Sequence, residues 1–280
     1  LKHLCTLADK NYLYNGLSLY ESLHKNSKDF ILHFLCIDNE SFIKLKKHEN
    51  ESLVVYSNEI LKNPDLQILK NSNYDYYCWC LASYFSNLLI KQFESITYID
   101  SDVFFHKNIQ LIYDEIGDKD IGMFRHRHIN DINRGEGLYN VGVVYFKNSY
   151  VGNLVLDWWA DAVLHRKYPE LATCGDQRYL NEFPKLYPSV FIDGNIGHGS
   201  PWHWRLYDYS KYLKHKKIIW NGIEQDLVFS HFSRFKYNGD SYIPATLYYP
   251  ETPLEFYQTP ALINIYDEYY NCMKECYEKF

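Results

Sequence analysis

The sequence predicts an α/β fold: a mostly parallel central sheet flanked by helices, followed by a C-terminal helical tail. Strand and helix signals alternate β-α-β-α-β from the start through Tyr56, and crossovers between neighbouring strands then give a parallel sheet with helices on both faces. A later apolar, β-branched run, Ser95-Ile-Thr-Tyr-Ile, ends in two carboxylates one residue apart, Asp100 and Asp102. In an open α/β sheet the carboxyl ends of strands are where ligands sit. With 280 residues, 46 % of them hydrophobic, the chain can bury a full core in one large domain or in one domain with an appendage.

Residues 3–7 read as the first strand, stopping at Ala8-Asp9-Lys10. Tyr12, Leu13, Leu17, Leu19, Tyr20 and Leu23 then recur near helical spacing. Residues 30–37 form a second buried strand, Ser41 offers an N-cap for a short basic helix through His48, and residues 53–56 make a third strand. The polar stretch 63–77, with Pro64 and no clear period, reads as an irregular loop. The helix from about Tyr76 to Phe93 is apolar nearly all round, Trp79 included, and is expected to be buried. It delivers the chain into the strand ending at Asp100. A helix (108–116), a strand (120–124), a polar loop, a strand (139–146) and an amphipathic helix through Trp158, Trp159, Val163 and Leu164 follow. Gly175-Asp-Gln-Arg-Tyr-Leu-Asn181 opens a short helix expected to end before Pro184. Residues 190–192 form a brief strand leading into a Gly-rich, aromatic stretch, 193–204. Two short strands (217–220 and 227–230) and a final helix (261–277) complete the chain.

Net charge −6 and a pI of about 6.1 give no electrostatic footprint for nucleic acid. No run of about 18 apolar residues is present, so no transmembrane segment is expected, and no signal-peptide pattern is seen. The seven cysteines are mostly embedded in apolar segments and fit reduced thiols of a cytoplasmic protein better than a disulfide framework. Cys272 and Cys276 lie four apart on the final helix without a nearby histidine pair, which argues against zinc. Aromatic residues make up 18 % of the chain, and their faces suit sugars and nucleobases as well as cores.

Two carboxylates as close as Asp100 and Asp102 repel each other where a strand leaves a core, unless a cation or hydrogen bonds hold them. A hard divalent ion bridging to a diphosphate is a natural occupant. Loop acids capping the next helix are the alternative.

Taken in order, Cys5-Thr-Leu-Ala-Asp-Lys-Asn-Tyr12, Tyr98-Ile-Asp-Ser-Asp102, Tyr139-Asn-Val-Gly142, Gly175-Asp-Gln177 and His231-Phe-Ser-Arg-Phe-Lys236 resemble the nucleotide-diphospho-sugar glycosyltransferases of GT-A fold. The similarity is greatest to the glycogenin and galactosyltransferase-like retaining group and its bacterial relatives, and it covers roughly residues 1–240. It implies a Rossmann-like catalytic domain (1–245) with a C-terminal tail (246–280) whose helix packs on it. It also implies a UDP-sugar donor as co-substrate and Mn²⁺, with Mg²⁺ as the alternative, held by Asp100, Asp102 and His231. Two hard oxygens and an imidazole suit Mn²⁺ better than an all-oxygen Mg²⁺ site. Thr6, Leu7, Asp9 and Tyr12 would hold the nucleobase and ribose, and Ser101 and Lys236 the rest of the nucleotide. Asp176 and Gln177 would lie at the anomeric carbon; an N-cap is the other reading of Asp176. Asn140 would bond donor or acceptor hydroxyls. The chain departs from the family pattern after His231, where Arg234 stands at the usual glycine and Tyr237-Asn238 replace Pro-Trp. It departs again at Cys78-Trp-Cys80, where a basic donor contact is usual.

Acceptor binding is expected at Arg127, in His126-Arg-His128 after a strand end, and at Trp202 in the Gly-rich stretch, where flexible backbone and aromatics suit a sugar ring. A solvated basic loop, and core plugs at Trp202 and Trp204, are the alternatives. The aromatic face of the final helix (Tyr266, Tyr269, Tyr270, Phe280) suits packing on its own domain, or else a peripheral membrane or homo-oligomer contact. The function expected is metal-dependent, retaining transfer of a hexose or N-acetylhexosamine from a UDP-sugar to a carbohydrate or other hydroxyl acceptor. A nucleotidyltransferase, a sugar-nucleotide hydrolase and a non-catalytic sugar-binding relative are the alternatives.

Overall fold

Seven strands form the central sheet, β3 (Leu53–Ser57), β2 (Phe30–Cys36), β1 (Lys2–Ala8), β4 (Ser95–Ile99), β7 (Tyr139–Lys147), β6 (Ile121–Arg125) and β8 (Val190–Ile192), in that order across it. The computed structural model describes residues 1–127, 135–201, 204–237, 239–244 and 259–280. In chain order the elements are β1 (Lys2–Ala8), α1 (Leu13–Asn26), β2 (Phe30–Cys36), α2 (Asn39–Lys46), β3 (Leu53–Ser57), α3 (Pro64–Ser72), α4 (Tyr74–Ile90), β4 (Ser95–Ile99), β5 (Val103–Phe105), α5 (Gln110–Ile116), β6 (Ile121–Arg125), β7 (Tyr139–Lys147), α6 (Tyr150–Leu164), α7 (Phe183–Leu186), β8 (Val190–Ile192), β9 (Ile196–Gly199), β10 (Tyr207–Asp208), α8 (Tyr212–His215), β11 (Lys217–Trp220), β12 (Ile223–His231), β13 (Lys236–Tyr237), β14 (Tyr242–Ile243) and α9 (Pro260–Lys279). Pairing is parallel from β3 through β4 and between β6 and β8, and antiparallel on both sides of β7. The expected mostly parallel α/β architecture is therefore present.

Alternation along each strand divides the core. Leu35, Ile96 and Phe146 face Phe85, Trp159 and Val163 of α4 and α6, while Leu4, Phe34 and Ile99 face Leu17 and Leu23 of α1. A second sheet, β10-β11-β12-β5 with β9 alongside β12, stands at the carboxyl end of β4. The last helix lies along α1 behind this second sheet, with Tyr266 and Tyr269 fully buried. Tyr269 stacks on Phe232 at 4.1 Å and accepts a 2.9 Å hydrogen bond from Asn15. Glu268 accepts from Lys216 at 2.7 and 2.9 Å and lies 3.4 Å from His106 Nδ1. Burial alone would raise the Glu268 carboxyl, but its bonds to His106 and Lys216 outweigh that and hold it near 2. No helix among the described residues is long and apolar enough to cross a membrane.

Three local expectations are corrected. The stretch 63–77 is helical: Asn63 accepts from Asp65 N, Pro64 occupies the first turn of α3, and Asn73 accepts from Tyr76 N to start α4. Proline is tolerated there because the first turn has no use for its missing N–H. The cap of α2 is Asp38, to which Ser41 donates. The segment after Asp176 is a 3-10 turn running into α7, with Pro184 inside the first turn of that helix.

Candidate active site

The carboxyl ends of β1 and β4 open on a cleft of about 570 Å³. Its walls come from the first turn (Leu7, Asp9, Tyr12), the β4 end (Asp100, Ser101, Asp102), α4 (Tyr74, Cys78, Trp79), the 3-10 region (Asp176, Gln177) and His231. Among the described lining residues, five are aspartates (Asp9, Asp75, Asp100, Asp102 and Asp176) and none is lysine or arginine. Such a cleft concentrates negative potential and favours a cation.

Strand register assembles the triad. Ile99 of β4 pairs with Val143 of β7, which lets Asp100 N donate to Gly142 O at 3.0 Å. Val103 of β5 pairs with His231 of β12, and Phe232 N donates to Asp102 O at 2.8 Å. The chain thus returns some 130 residues later, by residue number, to lay a histidine beside the aspartates. His231 Nε2 lies 2.9 Å from Asp102 Oδ1 and 3.6 Å from Asp100 Oδ2. One donor atom from each of the three falls within 4.8 Å of the others.

The other imidazole nitrogen sets the tautomer. His231 Nδ1 lies 2.9 Å from Asn140 Oδ1, which also accepts from Gly142 N at 2.7 Å. An amide oxygen only accepts, so Nδ1 carries a hydrogen and Nε2 is the nitrogen turned to the aspartates, placed to donate to Asp102 in the imidazolium and to offer its lone pair to a metal ion once that proton is lost. Gly142 is required for this approach: a Cβ there would stand 2.5 Å from Asn140 Oδ1 and 2.7 Å from His231 Nδ1. Burial disfavours the imidazolium, but Asp102 and then Asp100 outweigh it and lift His231 to about 9. Burial, with the Asp102 charge adding to it, raises Asp100 against the attraction of His231 and a 2.8 Å bond donated by Tyr98 Oη. A carboxylate held above its usual range beside a second carboxylate and an oriented imidazole is a donor set that a divalent cation relieves. Asp100, Asp102 and His231 fit such an ion.

Asp176 is 7 % exposed, lines the cleft and makes no side-chain cap bond to the turn that follows. The capping alternative therefore has no bond to support it. Its backbone is pinned instead, because Trp159 Nε1 donates to Asp176 O at 3.0 Å. Burial first, and then the Asp100 charge, push its carboxyl well above the usual range. Gln177 Oε1 accepts from Asn140 Nδ2 at 3.3 Å, and its Nε2 donates to Glu136 O at 3.0 Å.

Leu7, Asp9, Tyr12 and Ser101 line the cleft. Asp9 also builds the turn, its Oδ1 accepting from Asn11 N at 2.9 Å and Tyr12 N at 3.2 Å. Thr6 does not line the cleft: it is fully buried in β1, while its neighbour Leu7 reaches the cleft, as strand alternation requires. Asn140 lies behind His231 and Gln177 and is absent from the cleft lining, so its partners are protein groups. Lys236 stands outside the main cleft, bordering a separate hollow with Arg234, Phe235 and Tyr12, the last shared by both spaces. The turn after His231, with Arg234 at φ +61°, carries it there.

Arg127 is 2 % exposed and lies away from the cleft. Its guanidinium donates to Tyr207 Oη, Gln225 Oε1 and Ile196 O at 3.2, 3.1 and 2.8 Å and stacks on Trp220 at 3.9 Å. Those partners belong to the second sheet, which gave no signal near Arg127 in the sequence. Trp202 and His128 lie outside the described residues. Trp204 is a core plug, fully buried. The glycines before it serve close packing, since a Cβ at Gly199 would meet the Trp204 ring at 1.9 Å and one at Gly197 would meet Asp226 O at 2.5 Å. Sequence reasoning missed Tyr98, which its own motif contains, and the cleft-facing role of Trp79. The departure at Cys78-Trp-Cys80 was the available signal for the latter.

The Asn140–His231 contact gives a prediction. Asn140→Ala is expected to weaken Mn²⁺ binding about 10–100-fold, the usual cost of losing an outer partner of a metal-ligating histidine. Gly142→Ala is expected to act in the same direction. Titration of Mn²⁺ followed by electron paramagnetic resonance checks both, and unchanged affinity in both variants refutes this role.

No protein-family model matches the chain. Two Bacillus subtilis (strain 168) proteins are similar in sequence. Uncharacterized protein YfnF is 29 % identical over 251 residues, covering 83 % of this chain and 81 % of YfnF. Uncharacterized protein YfnD is 24 % identical over 278 residues, covering 94 % and 88 %. Among solved structures, apo mouse xyloside xylosyltransferase 1 superposes with a TM-score of 0.55 at 17 % identity, over 83 % of this chain and 98 % of that one. The galactosyltransferase LgtC, solved with donor and acceptor sugar analogues, superposes with a TM-score of 0.57 at 13 % identity, over 95 % of each chain. The sheet order, the carboxylate pair at the end of β4 and these superpositions together identify the fold: the chain has the GT-A fold of the nucleotide-sugar glycosyltransferases.

Proposed function

We propose that the protein is a metal-dependent retaining glycosyltransferase that moves a hexose or N-acetylhexosamine from a UDP-sugar to a carbohydrate or other hydroxyl acceptor. The observation that carries this reading is the convergence of Asp100, Asp102 and His231 in one cleft with Asp176. The cleft's lack of a lysine or arginine among the described residues adds to it, because a diphosphate entering among five aspartates needs a cation to accompany it. The similarity to LgtC, whose structure holds donor and acceptor analogues, agrees with the substrate class.

In this reading Asp100, Asp102 and His231 Nε2 hold Mn²⁺ or Mg²⁺, with Asn140 orienting the imidazole. The bound ion supplies Lewis-acid neutralisation of charge on the departing nucleoside diphosphate. Leu7, Asp9 and Tyr12 take the nucleoside end, Ser101 the part of the nucleotide beside the metal, and Lys236 stands beside Tyr12 at the mouth. Asp176 faces the anomeric carbon, and Gln177, fixed by Asn140 and the Glu136 carbonyl, orients sugar hydroxyls. The bond from C1 to the diphosphate oxygen breaks, the acceptor oxygen bonds C1 with retained configuration, and the acceptor proton leaves with the diphosphate.

The test is a screen of UDP-, GDP- and CDP-sugars with Mn²⁺ for donor hydrolysis, followed by acceptor trials with the hit. A UDP-sugar is expected to be cleaved, EDTA to stop the reaction, and the product to keep the donor's anomeric configuration. An inverted product refutes retention, and turnover undiminished in EDTA refutes the metal.

A further inference from the structure

The wall facing the metal triad comes from α4, and one residue there breaks the pattern of the helix. Tyr76, Tyr77, Leu81 and Phe85 are buried, whereas Trp79 is 47 % exposed and lines the cleft with Asp176 and Gln177. Its indole is held in place. Gly175, at φ +60°, approaches so closely that a Cβ would stand 2.6 Å from indole Cδ2, and Tyr76 meets the ring edge-on at 6.0 Å. Gly175 is bonded directly to Asp176, whose carbonyl is fixed by Trp159. One short segment therefore sets both the indole and the candidate reacting carboxylate.

We propose that Trp79 is a pyranose-stacking platform, its indole packing against the apolar C–H face of a sugar ring at the reacting centre. This rests on the reading of the cleft as a sugar-nucleotide site. A pyranose has polar edges and apolar faces. Asp176 and Gln177 provide polar partners in this cleft, while on α4 Trp79, Cys78 and Ala82 form an uncharged stretch of wall beyond Asp75. A rigid aromatic face gives contact area at small entropic cost. The nucleoside end is marked by Asp9, to which Tyr74 Oη donates at 3.5 Å. Trp79 lies more than a helical turn further along α4, beside Asp176, so the ring it meets is a sugar and not the base.

The experiment compares the unsubstituted chain with Trp79→Ala and Trp79→Phe. The readouts are Mn²⁺-dependent UDP binding by calorimetry, hydrolysis of UDP-glucose, UDP-galactose and UDP-N-acetylglucosamine without acceptor, and transfer to an acceptor. Trp79→Ala is expected to lose about ten- to a hundredfold in kcat/KM for transfer, with UDP affinity within about twofold and Trp79→Phe retaining most activity. A loss shared by hydrolysis assigns the platform to the donor sugar, and a loss in transfer alone assigns it to the acceptor sugar. Unchanged turnover in Trp79→Ala, or an equal fall in UDP affinity, overturns the proposal. An unsubstituted chain that neither binds UDP nor cleaves these donors refutes the functional reading itself, before any variant is compared.

Discussion

Asp102→Ala is expected to lower transfer by at least about 10³-fold and to abolish Mn²⁺-dependent UDP binding, with circular dichroism unchanged. The size follows from the several kcal/mol that a bound cation contributes against developing negative charge, at about 1.4 kcal/mol per decade of rate. Asp102 provides the oxygen nearest His231 Nε2, at 2.9 Å, so its loss removes one proposed ligand and leaves a second without its neighbour. The fold is expected to survive because the strand pairing around the site uses backbone groups: Phe232 N still bonds the carbonyl of residue 102, and Asp100 N still bonds Gly142 O. Asp100→Asn is the gentler companion. Its amide oxygen keeps the bond from Tyr98 Oη while the charge is lost, so a large loss in both variants points to charge and not to shape. Full transfer by both variants in EDTA sinks the metal assignment.

The triad shows what a sequence can and cannot convey about such a site. Asp100 and Asp102 were legible because a buried strand ending in two carboxylates is a local conflict, visible over a dozen residues. His231 became interpretable through the ordered motifs that resemble a known family, and the register of β5 with β12 supplies the physical reason for its position. The resemblance, through Tyr139-Asn-Val-Gly142, placed Asn140 at substrate hydroxyls. Only a contact between residues 91 apart in sequence reveals that its oxygen orients the imidazole. Of the two neighbours expected at the nucleotide, Leu7 lines the cleft and Thr6 is buried on the other side of the same strand.

Errors elsewhere share one origin: burial depends on what packs from a distance. Local helical signals in 63–77 were present in Asn63, Pro64 and Asn73, but polar composition hid them. Arg127 resembled a ligand-binding loop residue until the second sheet enclosed it with Tyr207, Gln225 and Trp220. The glycines at 197 and 199 read as flexibility, although each permits a close backbone or ring approach. Trp79 erred in the opposite direction. Its apolar helix predicted burial, yet the cleft leaves it half exposed.

Asp176→Asn is expected to separate chemistry from binding: transfer falls about 10³-fold, while Mn²⁺ and UDP affinities stay within a few-fold. The substitution keeps the shape of the side chain and leaves the bond from Trp159 Nε1 to the Asp176 carbonyl in place, so the Gly175–Asp176 segment should hold its position. What changes is the capacity to carry negative charge. Burial and the nearby Asp100 charge disfavour the Asp176 carboxylate. A cation between Asp100 and Asp102 offsets the second of these causes, and positive charge developing at an anomeric carbon favours the ionised form further. If Asp176 stands at the reacting centre as proposed, its carboxylate is stabilised most in the transition state, the differential that lowers a barrier. Parallel measurement of kcat and of UDP affinity by calorimetry checks this. Transfer retained within about tenfold would remove Asp176 from the reacting centre, and an equal loss of UDP affinity would move it to the binding of the nucleotide.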